Sequence, residues 1–126
     1  MTYKTIIAET LDGHVGGVTL NRAEAMNTFS SQMAEELYDA LKGFDTDPDV
    51  RVILIKGAGR AFCAGIDVNE LKGKTTNQYR GWIEKMEAPL VLMSKMQTPV
   101  ITQVHGAAAA NGMGLVAASD LAIAAD

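Results

Sequence analysis

The distribution of apolar and polar positions predicts two short strands near the start of the chain. Residues 3–9 and residues 14–20 have the composition of two strands, and Val15, Val18 and Leu20 are the strand-like residues of the second. The segment between them, residues 11–13 (LDG), has the composition of a turn. Gly16 and Gly17 interrupt the second strand, where glycine indicates either a bulge or a close backbone approach.

Two longer segments repeat apolar residues at the three- and four-residue steps of an amphipathic helix. The first begins at a capping Ser30 or Ser31 and ends at the acidic, proline-containing stretch 45–49. The second covers residues 77–97 and is expected to kink near Pro89. Their apolar positions are Met33, Leu37, Tyr38, Leu41 and Phe44 in the first helix, and Tyr79, Trp82, Ile83, Met86, Leu90, Met93 and Met96 in the second.

Three short apolar runs have the composition of buried strands, at residues 50–56, 99–104 and 121–124. The first is followed by a glycine-rich loop and a helical turn at residues 67–71. The second is followed by an Ala/Gly-rich loop and a helix of small residues from about Gly112. The predicted order of strand, strand, helix, strand, helix, strand, helix, strand indicates one layered α/β domain.

Composition narrows the range of functions. The 126 residues are 48% hydrophobic and 21% charged, which is typical of a folded globular domain. A net charge of −4 gives no general attraction for nucleic acid, and polar residues interrupt the apolar stretch 100–125 too often for a membrane span. A single cysteine, Cys63, and opening residues that do not resemble a secretory signal lead us to expect a cytoplasmic protein.

The two loops that follow buried strands offer backbone amides and little side-chain chemistry. Residues 61–67 and 106–114 are rich in Gly and Ala, and their side chains suit neither a nucleophile nor a metal ion. Small residues let a ligand approach the main chain closely. The helix start after the second loop presents unpaired N–H groups. Two such loops on adjacent strands could direct two N–H groups at one oxygen atom, so we predict an oxyanion site that needs no metal ion.

Three segments resemble the enoyl-CoA hydratase/isomerase (crotonase) family, in that family's order and spacing. Residues 59–67 (GRAFCAGID) are similar to its first signature, residues 99–120 to its second, and residues 21–27 (NRAEAMN) to its coenzyme A loop. The resemblance implies a crotonase-like fold of the ClpP/crotonase type with a ββα-spiral core. It also implies that the backbone amides of Ile66 and of Asn111, or of Gly112 one residue further on, form an oxyanion hole for a thioester carbonyl.

The resemblance further implies an acyl-CoA substrate, with coenzyme A as part of that substrate and no permanently bound cofactor. Among the residues expected to lie near it, Arg22 would contact phosphate, and Asp67 is interpreted as a turn or helix-cap residue. Trp82 and Met86 could line an acyl pocket, but their helical spacing is more typical of plain core. The full set is Arg22, Ala25, Met26, Ala64, Gly65, Asp67, Trp82, Met86 and Gly114.

Three departures from the family limit this expectation. The family often has a lysine or arginine for the coenzyme phosphates where Glu24 and Asn69 stand, so phosphate contact is left to Arg22, with Lys72 or Lys74 as alternatives. Gly114 stands where the family's hydratases carry a catalytic glutamate, so isomerase-like or other single-acid chemistry is favoured over two-glutamate hydration. Family members are about twice as long and form trimers. We therefore expect residues 1–126 to be the N-terminal half of a homo-oligomeric enzyme, inactive without its C-terminal part and trimerisation helices.

Two alternatives stay open. The chain could be a non-catalytic acyl-CoA binder or a pseudoenzyme. Residues 112–117 (GMGLVA) also fit the dinucleotide fingerprint G-x-G-x-x-A, although its first glycine should follow a strand directly. For Cys63 a buried spacer is favoured over a nucleophile, for His105 a hydrogen-bonded structural role, and for His14 a solvated position.

Overall fold

The computed structural model describes residues 2–126, and its elements follow the predicted order. Short 3-10 turns occupy Ala23–Ala25, in a segment that the sequence predicts to be irregular, and Val68–Leu71, where it predicts a helical turn. The strands and longer helices are β1 (Ile6–Leu11), β2 (Val15–Leu20), α1 (Ser31–Asp45), β3 (Val52–Gly57), α2 (Thr76–Lys95), β4 (Val100–Val104), α3 (Asn111–Ala118) and β5 (Leu121–Ala124).

The first strand begins at Ile6, three residues later than the sequence predicts. The backbone amides of Lys4 and Thr5 donate to the Glu36 carboxylate at 2.9 and 2.8 Å. These two amides are therefore bound to α1. The Thr5 carbonyl still accepts from the Asn21 amide at 2.8 Å, but the regular pairing of β1 starts only at Ile6.

All five strands form one sheet in the order β1-β2-β3-β4-β5. The first pair is antiparallel and the other three pairs are parallel. Because β3 and β4 are parallel neighbours, the loops that follow them leave the sheet at the same edge. This edge holds both glycine-rich loops.

The expected bulge at Gly16 and Gly17 is absent. Both residues pair in register with β1, opposite Thr10 and Glu9. The alternative prediction of a close backbone approach is not what the structure shows at Gly16. A side chain there would begin 2.8 Å from the Phe44 ring, so glycine makes room for a side chain of α1.

The hydrophobic core is built from the sheet and the two long helices, with α1 packed on β1, β2 and α2. The Ser30 side chain caps α1 by accepting from the Met33 amide at 3.1 Å. Helix α2 opens with a capping box of Thr75 and Gln78 and continues through Pro89. The large core side chains that are at most 1% exposed are Val18, Leu20, Phe29, Met33, Leu37, Leu41, Ile53, Ile55, Phe62, Val100 and Leu115.

The last strand of the sheet has exposed apolar side chains. Leu121 and Ile123 of the edge strand β5 are 65% and 62% exposed. Within residues 2–126 no helix has the length and apolar character needed to cross a membrane.

Candidate active site

Two loops meet at the edge of the sheet where β3 and β4 end. Residues 58–67 are termed the first loop and residues 105–111 the second loop. The Cys63 amide donates to the Ala107 carbonyl at 3.1 Å, and the Ala109 amide donates to the Cys63 carbonyl at 3.0 Å. These bonds form a parallel bridge beyond the strands. The loops therefore lie side by side, as their positions after neighbouring parallel strands predict.

Glycine at two positions allows this close contact. A methyl group on Gly112, in the first turn of α3, would overlap the Cys63 carbonyl oxygen. One on Gly106 would overlap the Arg60 carbonyl oxygen, and the backbone of Gly106 has a φ of +64°, which side chains rarely allow. Larger residues at these positions would separate the two loops.

The amide of Ile66 is directed away from the neighbouring backbone. Ile66 forms an isolated parallel bridge with Phe29. In this bridge the Phe29 amide donates to the Gly65 carbonyl at 2.7 Å, and the Asp67 amide donates to the Phe29 carbonyl at 2.9 Å. The residue between two such bonds turns its own N–H to the opposite side. Accordingly, the Ile66 N–H donates to no acceptor within residues 2–126.

The start of α3 offers a second free amide. The N–H of Gly112 already donates to the Ala109 carbonyl at 2.8 Å, whereas the N–H of Asn111 has no acceptor among the described residues. Amides in the first turn carry the positive end of the helix dipole. Ala110, just before this turn, has a φ of +49° and a ψ of −117°, a strained conformation for a residue with a side chain.

The predicted coenzyme-contacting residues lie along one seam between residues 22–29 and the first loop. The Ala64 amide donates to the Met26 carbonyl at 3.1 Å, and the turn that contains Ala25 precedes this contact. Gly65, with a φ of +140°, has Ala110 of the second loop 4.0 Å from the position that its side chain would take. The structure thus joins Met26 to Ala64, two residues before Ile66, and sets Gly65 beside Ala110, the residue before Asn111.

Arg22 is largely engaged within the protein. Its guanidinium donates to the Thr28 carbonyl at 2.7 Å and forms an ion pair with Asp67 at 3.2 Å, and its side chain is 23% exposed. Any contact with a coenzyme phosphate would have to use its remaining N–H groups. Asp67 also accepts from the Asn69 amide at 3.1 Å, which confirms its interpretation as the cap of the Val68–Leu71 turn.

Comparison with known proteins decides the family. The family model described as enoyl-CoA hydratase/isomerase matches residues 10–126. The chain belongs to the enoyl-CoA hydratase/isomerase family. It is 34% identical over 134 residues to "Delta(3,5)-Delta(2,4)-dienoyl-CoA isomerase, peroxisomal" of Arabidopsis thaliana, covering 95% of this chain and 48% of the relative. It is 38% identical over 112 residues to "1,2-epoxyphenylacetyl-CoA isomerase" of Escherichia coli, covering 86% and 43%.

Solved structures agree with the family assignment. An enoyl-CoA hydratase/isomerase from Xanthobacter autotrophicus superimposes with a TM-score of 0.91 at 31% identity, over 98% of this chain and 46% of the other. This likeness confirms the expected crotonase-like fold. The chain spans about half the length of the relatives it matches.

Three further residues of the predicted enoyl-CoA hydratase/isomerase site lie on α2 and α3. Trp82 and Met86 are 9% and 3% exposed and belong to the hydrophobic core. The Trp82 indole N–H donates to Glu70 at 3.3 Å beside an open groove of about 550 Å³. At Gly114 a side chain would begin 3.1 Å from Leu90 of α2. A role for Trp82 and Met86 in an acyl pocket stays a prediction.

The cysteine and the two histidines considered from the sequence are buried or lie against main-chain carbonyls. Cys63 is fully buried, and burial raises the pKa of its thiol, which favours a spacer over a nucleophile. His105 Nε2 lies 2.6 Å from the Gly59 carbonyl oxygen, which confirms a hydrogen-bonded role. His14 is exposed as expected but also contacts the Asp49 carbonyl, at 2.9 Å from Nδ1.

The geometry of α3 does not match a dinucleotide fingerprint. Strand β4 ends at Val104 and α3 begins at Asn111, so Gly112 lies within the helix and does not directly follow the strand. The glycines of this enoyl-CoA hydratase/isomerase chain instead serve loop packing and contact with α2.

Sequence reasoning assigned no role to Asn27, which is completely buried beside the first loop. Its side-chain amide forms hydrogen bonds with three backbone groups. The only sequence signal is the residue type itself, since asparagine tolerates positive φ and Asn27 has a φ of +55°. Its partners are distant in sequence and become visible only in the folded chain.

Proposed function

We propose that this chain carries the oxyanion-stabilising part of an acyl-CoA thioester enzyme, with the amides of Ile66 and Asn111 as the two donors. The observation that carries the proposal is the pairing of the two loops through Cys63. Each loop contributes one N–H that has no acceptor within residues 2–126.

Backbone amides suit this chemistry because negative charge develops on the thioester oxygen as the reaction proceeds. Donors that are already fixed in place need no reorganisation when the charge appears. The loss of one such donor typically lowers the rate by about a hundred- to a thousandfold. The position of Asn111 at the start of α3 adds the positive end of a helix dipole.

Gly114 favours isomerase-like or other single-acid chemistry over two-glutamate hydration. Glycine carries no group that could transfer a proton, and Leu90 lies against this position. In this proposal the catalytic acid or base comes from residues outside the two loops.

A 3-oxoacyl-CoA such as acetoacetyl-CoA provides a direct test with the complete gene product. An oxyanion hole stabilises its enolate, so the enolate absorbance should rise when the protein is added at fixed pH. Gly112→Ala should abolish most of this rise, because the added methyl group overlaps the Cys63 carbonyl and separates the loops.

Gly43→Ala is the matched control. It adds the same methyl group within α1, at a position where only the backbone of its own helix lies within 4 Å of the added group, and it should leave the enolate signal unchanged. Absence of an enolate signal with the wild-type protein, at concentrations where the thioester binds, would refute the proposal.

A non-catalytic acyl-CoA-binding protein is the second candidate, favoured by the glycine at position 114. It predicts enolate stabilisation without turnover. Incubation of the complete protein with enoyl-CoA and dienoyl-CoA substrates, followed by product analysis, separates the two functions.

A further inference from the structure

Asn27 joins three parts of the chain through one buried side chain. Its Oδ1 accepts from the Arg22 amide at 2.7 Å. Its Nδ2 donates to the Ala58 carbonyl at 2.8 Å and to the Ala61 carbonyl at 2.9 Å. Both N–H groups of the side-chain amide are therefore used, within a residue that is 0% exposed. This is the arrangement of a residue that fixes the relative position of two backbone segments.

Residues 26–29, which include Asn27, form hydrogen bonds with the backbone on both sides of Ile66. Met26 accepts from the Ala64 amide at 3.1 Å. Phe29 donates to Gly65 at 2.7 Å and accepts from Asp67 at 2.9 Å. The position of the Ile66 N–H thus depends on residues 26–29, and Asn27 ties those residues to the start of the first loop.

The backbone conformation at this point limits which residues can replace Asn27. Met26 and Asn27 have φ values of +53° and +55°, so two consecutive residues are left-handed. Asparagine is one of the few residues besides glycine that tolerate this region. Aspartate has nearly the same shape but would place an oxygen, in place of the two N–H donors, against the carbonyls of Ala58 and Ala61.

We propose that Asn27 is a positioning residue for the Ile66 oxyanion donor, acting by holding residues 26–29 against the first loop. The inference rests on the proposed function, because it concerns the same donor. It predicts that Asn27 controls how well the amide of Ile66 is aimed, independently of whether the coenzyme part of the substrate binds.

The test compares Asn27→Asp with the wild type in the complete protein, using acetoacetyl-CoA as the probe. The ratio of bound enolate to keto form should fall by about tenfold or more, since removing a donor altogether costs about a hundred- to a thousandfold in rate. The dissociation constant for free coenzyme A should change by less than about threefold, because coenzyme A lacks the thioester carbonyl. A purely structural role would weaken both measurements together.

Asn77→Asp is the matched control, since it makes the same chemical change on the exposed surface of α2. It should leave both measurements unchanged. Asn27→Gly is the second variant: it keeps the left-handed backbone and removes the side chain without introducing a charge. It should also lower the enolate ratio while coenzyme A still binds.

Three results would overturn the inference. They are an unchanged enolate ratio in Asn27→Asp, a parallel loss of enolate and coenzyme A binding, and a failure of both Asn27 variants to fold. The last would show that Asn27 is required for the fold as a whole. A wild-type protein without an enolate signal would refute the proposed function instead, so the two failures are distinguishable.

Discussion

Glu36 is a carboxylate whose buried position is stabilised by the start of the chain. Burial on its own raises the pKa of Glu36, but hydrogen bonds from the Thr5 hydroxyl and from the Lys4 and Thr5 amides outweigh it. The net pKa lies below the ordinary value of 4.5. A depressed pKa in the folded state means that the ionised form stabilises the fold. This contribution is complete above the unfolded-state pKa and is lost as the pH falls through the folded-state pKa.

We expect Glu36→Gln to lower the free energy of unfolding at pH 7 by about 1–3 kcal/mol, the range for hydrogen bonds to charged groups. The difference from wild type should shrink as the pH falls below about 4.5, and it should disappear below the depressed pKa of folded Glu36, where the side chain is neutral like glutamine. Urea unfolding at pH values from 3 to 7 (roughly the span of carboxyl titration) measures this.

The control for Glu36 is Glu35→Gln on the same helix. Glu35 is half exposed and forms an ion pair with Lys85, so its replacement should change stability by less than about 0.5 kcal/mol. If the difference in the free energy of unfolding between Glu36→Gln and wild type did not change with pH, ionised Glu36 would not be the source of the stabilisation.

Single residues differ in how far the sequence predicts their roles. The roles of His105 and Asp67 follow from short-range context, because a strand end and a turn start are visible in the sequence. The role of Asn27 depends on carbonyls more than thirty positions away, at Ala58 and Ala61. No local pattern indicates such partners.

At the scale of elements, the structure shows which of two adjacent serines caps the N-terminus of helix α1. The sequence allows either Ser30 or Ser31 as the cap. In the structure the Ser30 side chain accepts from the Met33 amide, whereas the backbone amide of Ser31 donates to Glu70 at 2.9 Å. Glu70 thus supplies the acceptor that the Ser31 amide, at the first helical position, lacks within the helix, and this supports a helix that begins directly after Ser30.

We expect Ser30→Ala to lower the free energy of unfolding by about 1 kcal/mol, the usual cost of losing a helix N-cap. Ser31→Ala is the matched control and should have a smaller effect, because its backbone amide still reaches Glu70. Urea denaturation at neutral pH compares them. Equal losses for the two variants would show that the cap hydrogen bond is not the cause.

The order of elements follows from the sequence pattern, and most of their boundaries lie within two residues of the predicted ones. The exception with a clear cause is β1, whose predicted beginning is bound to Glu36 on α1. The 3-10 turn Ala23–Ala25 was not predicted, because its three residues carry no apolar period.

At the scale of the whole molecule, the feature that stands out is β5, the outermost strand of the sheet among residues 2–126. Its apolar side chains are exposed, and its outer side pairs with no strand among residues 2–126. Exposed apolar edge strands promote association with other chains.

We expect the 126-residue chain to self-associate through β5, and Leu121→Lys to weaken that association by about tenfold or more, because burying a leucine contributes roughly 1.5–3 kcal/mol. Val68→Lys is the matched control, since Val68 is 63% exposed, close to the 65% of Leu121, but does not lie on the sheet edge. Sedimentation velocity over a range of concentrations measures the effect. Equal effects of the two variants, or a monomeric wild type, would contradict the expectation.

The sequence by itself determined the order of strands and helices, the two glycine-rich loops and the family resemblance, because each depends on residues that are close together in the chain. Only the tertiary structure decided which amides stay free. The sequence leaves open whether Asn111 or its neighbour Gly112 supplies the second donor. In the structure the Gly112 amide donates to Ala109, whereas the Asn111 amide has no acceptor among the described residues. The same holds for Asn27, whose three bonds exist only once the loops have come together. Folding brings donors and acceptors together from distant parts of the chain, and local sequence patterns do not indicate which of them will pair.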